Sequence, residues 1–282
     1  MTYNKKNSTS PNPLKQRNTM TINKKPDKTT PKTADAPQGE RINRYIASCG
    51  LCSRREADRW IEAGRVIMNG EAVQQPGVRV TASDSVKVDG QLISKNDEKT
   101  YILYNKPKGL LCSRRDDKKR PLIYEKLDVP ANVQSIGRLD MDSEGLLLLT
   151  DDGALAQELM HPRNKIPRQY RVRIVGQPDF ETLAKLRAGG IDMGDGDISD
   201  AWEVIVSSES KGHSWITVTI HRGRWREVRR TLKAVGHEVR RLMRVRFGNL
   251  GLDVELRPGQ WRTLKAKELQ SLQKLIKPTQ KK

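Results

Sequence analysis

Four successive leucines, Leu146 to Leu149, stand in the stretch "GRLDMDSEGLLLLT" at residues 137 to 150. They constrain the fold more than any other feature. Neighbouring side chains of a strand point to opposite faces, so an unbroken apolar run reads as a buried strand. The residues before it, "DSEG", suit a turn that closes into that strand. Asp140 and Asp142 fall in or beside this turn, with Arg138 next to them. A calcium loop is one reading, because Asp140, Asp142, Glu144, Gly145 and Asp151 occupy its first, third, fifth, sixth and twelfth places. Leucines fill the loop, however, and the twelfth place holds Asp instead of the longer bidentate Glu. Arg138 adds a positive charge where a cation would sit. Residue physics alone therefore favours a structural turn whose aspartates cap backbone amides.

Charge supplies the next constraint. The 282 residues include 53 Lys and Arg against 34 Asp and Glu, a formal net charge of +19. Such an excess points to a polyanionic partner, nucleic acid above all. Simple solubility and attraction to acidic membranes are the blander alternatives. No apolar stretch approaches the ~20 residues of a membrane helix, and the first residues lack a signal-peptide core. The three cysteines, Cys49, Cys52 and Cys112, fit a reducing cytoplasm. The C-x-x-C of Cys49 and Cys52 has no second ligand pair for zinc, so packing is the expected role.

The chain is long enough for two small domains or one large one. Residues 1–40 are polar, with 8 Lys and Arg and 3 Asp and Glu, and read as a disordered basic leader. From Arg41 the pattern changes. Ile42, Tyr45, Ile46 and Cys49 recur at helical spacing until Gly50. "SRRE" from Ser53 to Glu56 reads as a capping box opening a second helix, with Ala57, Trp60 and Ile61 inward. Short strands follow, joined by the hairpin turns Asn69-Gly70 and Asp89-Gly90. Arg44, Arg54, Arg55, Arg59 and Arg65 lie off the apolar stripe, so this unit, residues 41–93, should show a basic face, which suits phosphate but on residue physics alone reads first as a solvated helix surface.

Residues 94–100 read as a polar linker, 101–276 as a larger domain and 277–282 as a basic tail. Strands are expected at 168–175, 201–206, 214–220 and 238–247, and helices at 153–160, 179–187, 226–235 and 266–276. Strands and helices do not alternate strictly, which implies an α+β fold on a mostly antiparallel mixed sheet with flanking helices. In "HEVRRLMRVRF", Val239, Met243, Val245 and Phe247 alternate with Arg240, Leu242, Arg244 and Arg246. That alternation predicts a row of guanidinium groups facing an RNA backbone.

The stretch "RINRYIASCGLCSRREADRWIEAGRVIMNGEAV" resembles the S4-like RNA-binding domain. The resemblance implies binding of structured RNA, mostly through its backbone and shape, with Arg44, Arg54, Arg55 and Arg59 as RNA-binding residues. "GRLDMDSEGLLLLTDDG" resembles the active-site motif of pseudouridine synthases. Residues 41–276 are similar to the branch of that family that carries an S4-like domain and modifies bacterial ribosomal RNA. "NKPKGLLCS", "ELMHPRN", "GRWREVRR" and "RLMRVRFG" lean towards its large-subunit members.

By that resemblance Asp140 is the nucleophile, in an enzyme that detaches uracil from its ribose, rotates it and rejoins it through carbon. A carboxylate of ordinary pKa, about 3.9, is already ionised at neutral pH and needs no activating base. One nearby cation offsets burial, so neither metal nor organic cofactor is required. The resemblance assigns that cation to Arg229 and leaves Arg226 and Arg230 to phosphate. It matches Tyr170 to the tyrosine that packs on the target base, and Arg138 to a residue filling the gap left by the extruded uridine. Lys106 and Pro107 are read as supporting structure. The expected protein is a cytoplasmic monomer acting on ribosomal RNA, large-subunit more than small, away from membranes. The competing reading is a non-catalytic RNA-binding or ribosome-assembly protein.

Overall fold

A computed structural model describes residues 39–95, 98–210 and 212–276. The expected leader, up to residue 38, and the tail 277–282 lie outside the described residues. The described chain opens with the short strand Glu40–Arg41, followed by helix α1, Ile42–Ser48, and helix α2, Arg54–Glu62. Ser53 caps α2, its Oγ accepting from the Glu56 N–H at 3.2 Å. The Glu56 side chain does not return the bond but takes Arg59 and Arg115, each at 3.0 Å. Half of the expected capping box therefore forms. Glu40 already belongs to the folded part, because Glu40–Arg41 pairs with Arg79–Val80.

Four short strands follow the helices in the order Glu71–Ala72, Val66–Met68, Val86–Val88, Gln91–Leu92. Both expected two-residue turns are present. Asn69, Gly70, Asp89 and Gly90 have φ of 54, 92, 49 and 79°, the left-handed values that match strand twist in a hairpin. Ile42, Ile46, Ala57, Ile61 and Val66 are buried together beneath the sheet and helices. Burial pushes the Cys49 and Cys52 thiols up to about 11, as suits packing groups.

The larger sheet has nine strands. Its main path runs Glu203–Ser210, His213–Ile220, Arg168–Val175, Val239–Phe247, Glu144–Thr150, Tyr101–Lys106, Trp261–Thr263. Neighbours are antiparallel except Val239–Phe247 and Glu144–Thr150, which run parallel. Helices α3, Gly153–Met160, α4, Phe180–Ala188, α5, Glu227–Ala234, and α6, Ala266–Gln273, cover it.

The leucine run explains the layering. Leu147 and Leu149 join one core with Val172, Val218 and the α4 and α5 residues Leu186 and Leu232. Leu146 and Leu148 join the other core with Phe247 and the α3 and α6 residues Leu159 and Leu272. Each leucine taken out of water contributes about 2 kcal/mol. One strand thus carries both hydrophobic layers.

The strand Val239–Phe247 departs from its expected alternation. Its register with Arg168–Val175 shifts between Gln169 and Tyr170 and again between Arg173 and Ile174. Each shift leaves one residue of this strand, Val245 and then Arg240, without a partner there, and the facing of side chains changes. Arg244 is 2% exposed, while Arg240 and Arg246 are exposed. The continuous guanidinium row is therefore not formed.

Gly145 sits at the parallel junction. Its φ is +101°, and a Cβ there would lie 2.3 Å from the Arg244 carbonyl oxygen and 2.9 Å from its nitrogen. Gly145→Ala is expected to cost about 3 kcal/mol or more, from left-handed strain plus a backbone clash. Gly70→Ala, at positive φ but in open space, should cost about 1 kcal/mol. Urea unfolding of both variants measures the contrast.

Candidate active site

The residues after Leu139 form a tight turn. Ser143 N–H donates to the Asp140 carbonyl at 3.0 Å, and Gly109 N–H to the Met141 carbonyl at 2.7 Å. Lys106 closes the turn from below. Its side chain is completely buried, and Nζ donates to the carbonyls of Pro107, Asp140 and Ser143 at 3.0, 3.2 and 2.8 Å. An ammonium has three N–H donors, and three carbonyls receive them. Burial still lowers the Lys106 pKa, so this cation is held at a desolvation cost. The supporting role expected of Lys106 is thus given a geometry.

Asp140 projects from this turn into a cavity of about 430 Å³. Tyr170, Arg138, Leu242 and Arg244 also line the cavity. Tyr170 stands opposite Arg244 in the strand pairing and is 7% exposed. Its ring belongs to the core and borders the cavity at once. Arg138 is exposed at the cavity wall.

The arginines of α5 and its approach do not sit where the motif reading assigned them. Arg226 holds the N-cap position with φ 47°. Its Nη1 lies 3.7 Å from Asp140 Oδ2 and 3.3 Å from Asp142 Oδ1. Arg226 is the ion-pair partner of Asp140, where a phosphate contact was expected. Arg229 pairs with Asp142, Nη2 to Oδ2 at 3.2 Å, and also donates to the Asp142 carbonyl at 2.9 Å and the Val239 carbonyl at 3.2 Å. The expected Arg229 cation is thus beside the site but seated on the neighbouring aspartate.

Arg230 is not turned to solvent for phosphate. It binds the Met193 and Gly194 carbonyls at 3.0 and 2.7 Å and the Asp197 carboxylate at 2.7 Å. It anchors the loop after α4. Arg244 donates through Nε to the Leu146 carbonyl at 2.8 Å, so it is a buried strut of the cavity floor and not an outward phosphate ligand. Nothing in the local sequence separates these arginines. Only their partners, distant in the chain, do so.

Electrostatics distinguishes the two aspartates. Burial pushes the Asp140 carboxyl above the usual carboxylate range, Arg226 opposes that shift, and Asp142 adds to it. Burial also pushes Asp142 up, but the Arg226 hydrogen bond and the charges of Arg229 and Arg226 outweigh it, leaving Asp142 below the range. One turn therefore holds a compensated carboxylate beside a partly desolvated one. The second faces the cavity, as an attacking group must.

The calcium arrangement does not assemble. Glu144 pairs with Arg241, and Asp151 caps the Thr100 N–H at 2.8 Å. Among the described residues, no three His, Cys, Asp or Glu side chains are grouped to share an ion.

A second concavity, about 1160 Å³, lies between α1–α2 and the larger unit. Arg44, Arg54, Arg55 and Arg59 line it from the helices, and Arg114 and Arg115 from the opposite wall. Arg44 pairs with Glu40 at 2.9 Å and Arg59 with Glu56 at 3.0 Å, while Arg54 and Arg55 are exposed. No helix among the described residues is long and apolar enough to cross a membrane.

Comparison with known proteins agrees with this architecture. Residues 100–234 match the family model of RNA pseudouridylate synthases, and residues 40–86 match the S4 domain. Ribosomal large subunit pseudouridine synthase B of Bacillus subtilis is 40% identical over 84% of this chain and 96% of its own length. The protein of that name from Yersinia pestis is 38% identical over 84% of this chain and 76% of its own length. A crystal structure of a pseudouridylate synthase superposes with a TM-score of 0.61 at 29% identity, covering 82% of this chain and 99% of the other. The chain belongs to the RNA pseudouridine synthases, with an S4 domain ahead of the synthase fold.

Proposed function

We propose that this enzyme converts a specific uridine of large-subunit ribosomal RNA to pseudouridine, with Asp140 as the nucleophile. The carrying observation is that Asp140 and Tyr170 line the same cavity, with Tyr170 at the rim of the core. A base drawn out of its stack finds an apolar wall there and a carboxylate at the wall's edge. In the isomerisation the C1′–N1 bond breaks and a C1′–C5 bond forms. The C5 proton leaves and N1 gains one, so composition is unchanged and no oxidant or co-reactant enters. The choice of large-subunit RNA follows the relatives of that name, 38 to 40% identical. A catalytic role fits the partly desolvated Asp140 better than a purely RNA-binding one, because a structural aspartate would use its carboxylate on backbone amides.

Arg226 holds Asp140 negative, and Arg229 neutralises Asp142, whose charge raises the Asp140 pKa. Arg138 enters the space vacated by the uridine. Arg44, Arg54, Arg55 and Arg59 engage RNA phosphates along the groove beside the S4 domain. The protein works as a monomer in the cytoplasm.

Asp140→Asn should abolish pseudouridine formation on rRNA from cells lacking the enzyme, while RNA affinity stays within about threefold. Pseudouridine mapping with a filter-binding control measures both, and product at the normal rate would refute the nucleophile. The pH profile tests the cations. Asp140 must be ionised to attack, so activity falls as pH drops through its raised pKa. Arg226→Met removes the largest charge lowering that pKa, and the acid limb should move to higher pH. Arg229→Met should move it less, because Arg229 acts more weakly on Asp140. Neutralising Arg54, Arg55 and Arg59 together should weaken binding and flatten the slope of log affinity against log salt by about two to three, with kcat retained.

A further inference from the structure

The turn entering α5 presents one large aromatic group to solvent. Trp225 is 66% exposed, although it directly precedes the arginine that touches Asp140. Tryptophan is the costliest side chain to leave in water, and this one joins none of the three buried cores. Its backbone is held firmly. Arg224 N–H donates to Glu227 Oε2 at 2.9 Å, and Glu227 N–H returns to the Arg224 carbonyl at 3.3 Å. The Arg224 guanidinium is fixed on the Ile198 carbonyl. Arg230, anchored on Asp197, reaches the Trp225 carbonyl at 3.4 Å, and its guanidinium carbon lies 5.4 Å from the indole centroid. The ring is therefore displayed from a braced turn, with a cation against it.

The surroundings select the occupant. Arg222, Arg224 and Arg226 lie within three residues on either side of Trp225 and line the cavity that holds Asp140. An exposed indole among arginines suits a nucleobase whose phosphates meet the guanidinium groups. Arg222 and Arg224 share the Asp200 carboxylate, at 3.1 and 3.6 Å, and Arg226 the two aspartates of the turn, but half of the Arg222 side chain stays exposed beside the indole to meet a phosphate.

We infer that Trp225 is a stacking platform for an RNA base flanking the target uridine, setting how the substrate strand enters the cavity. This rests on the reading that the substrate is RNA with its uridine at Asp140. Stacking of one base on an aromatic ring changes binding by about 5- to 150-fold when the ring is removed. Trp225 touches the flanking nucleotide and not the reacting atoms, so its effect belongs in KM and not in kcat.

Two measurements on the full chain test it. The first uses single-stranded poly(A) at low salt, which needs no knowledge of the target because stacking is tolerant of sequence. Tryptophan emission of the wild type should be quenched on titration, and the quenched component should be missing from Trp225→Phe. Equal quenching in both proteins would overturn the proposal. The second follows pseudouridine formation on protein-free large-subunit rRNA from cells lacking the enzyme. Trp225→Ala should raise KM about tenfold with kcat within about twofold, and Trp225→Phe should restore most of the loss. An unchanged KM, or a fall confined to kcat, would overturn it. A wild type that is quenched by poly(A) yet modifies no uridine in that rRNA would count against the ribosomal substrate and leave the platform standing.

Discussion

The approach of Gly145 to the backbone of Arg244 is the constraint on which the rest of the structure depends. It is where two antiparallel halves of the sheet meet in parallel, Met243 beside Glu144 and Arg244 beside Gly145. Any side chain at residue 145 would separate them. The same junction brings the Asp140 turn, which precedes one strand, beside α5, which precedes the other. Asp140 and the arginines of α5 are therefore neighbours because two backbones can touch. The leucines that follow Gly145 then bind this junction into both hydrophobic layers.

Around the junction the site balances two carboxylates against three cations, and each cation is held differently. Lys106 is sealed among carbonyls and shapes the turn. Arg229 is mostly buried and committed to Asp142 and its carbonyl. Arg226 is the more open of the two arginines, with 34% of its side chain exposed against 11% for Arg229. It spans both aspartates and faces the cavity. A guanidinium placed this way adjusts to a ligand at modest cost, whereas moving Arg229 would break its bonds to the Asp142 and Val239 carbonyls as well as the ion pair. The site thus separates the cations that build the turn from the one left open to the cavity.

Much of the fold was legible in local pattern. The two-residue turns, the helix opened by Ser53, the strand Arg168–Val175 and the helices at 153–160 and 227–234 follow from capping, periodicity and turn chemistry, which act within a few residues. The helix expected at 266–276 was legible too, though it ends at Gln273, and Leu275 and Ile276 dock from the turn beyond it. The arginine row of Val239–Phe247 was misread, because its two register shifts answer the partner strand and not the strand's own residues. The phosphate roles given to Arg230 and Arg244 failed for a related reason. A guanidinium on a polar-looking face is indistinguishable in sequence from one that will satisfy a buried carbonyl.

The amino-acid order by itself determined the layered α+β scheme, the basic character and the aspartate motif. These rest on side-chain polarity and short-range spacing, which a chain carries unfolded. Only the tertiary structure decided that Arg226 faces Asp140, that Arg229 takes Asp142, and that Lys106 closes the turn with three carbonyls. Apart from the Lys106 bond to the adjacent Pro107 carbonyl, those pairings join residues 34 to 87 positions apart. At such separations charge and hydrogen-bond geometry act only after the sheet has brought the strands together, so no local pattern encodes them.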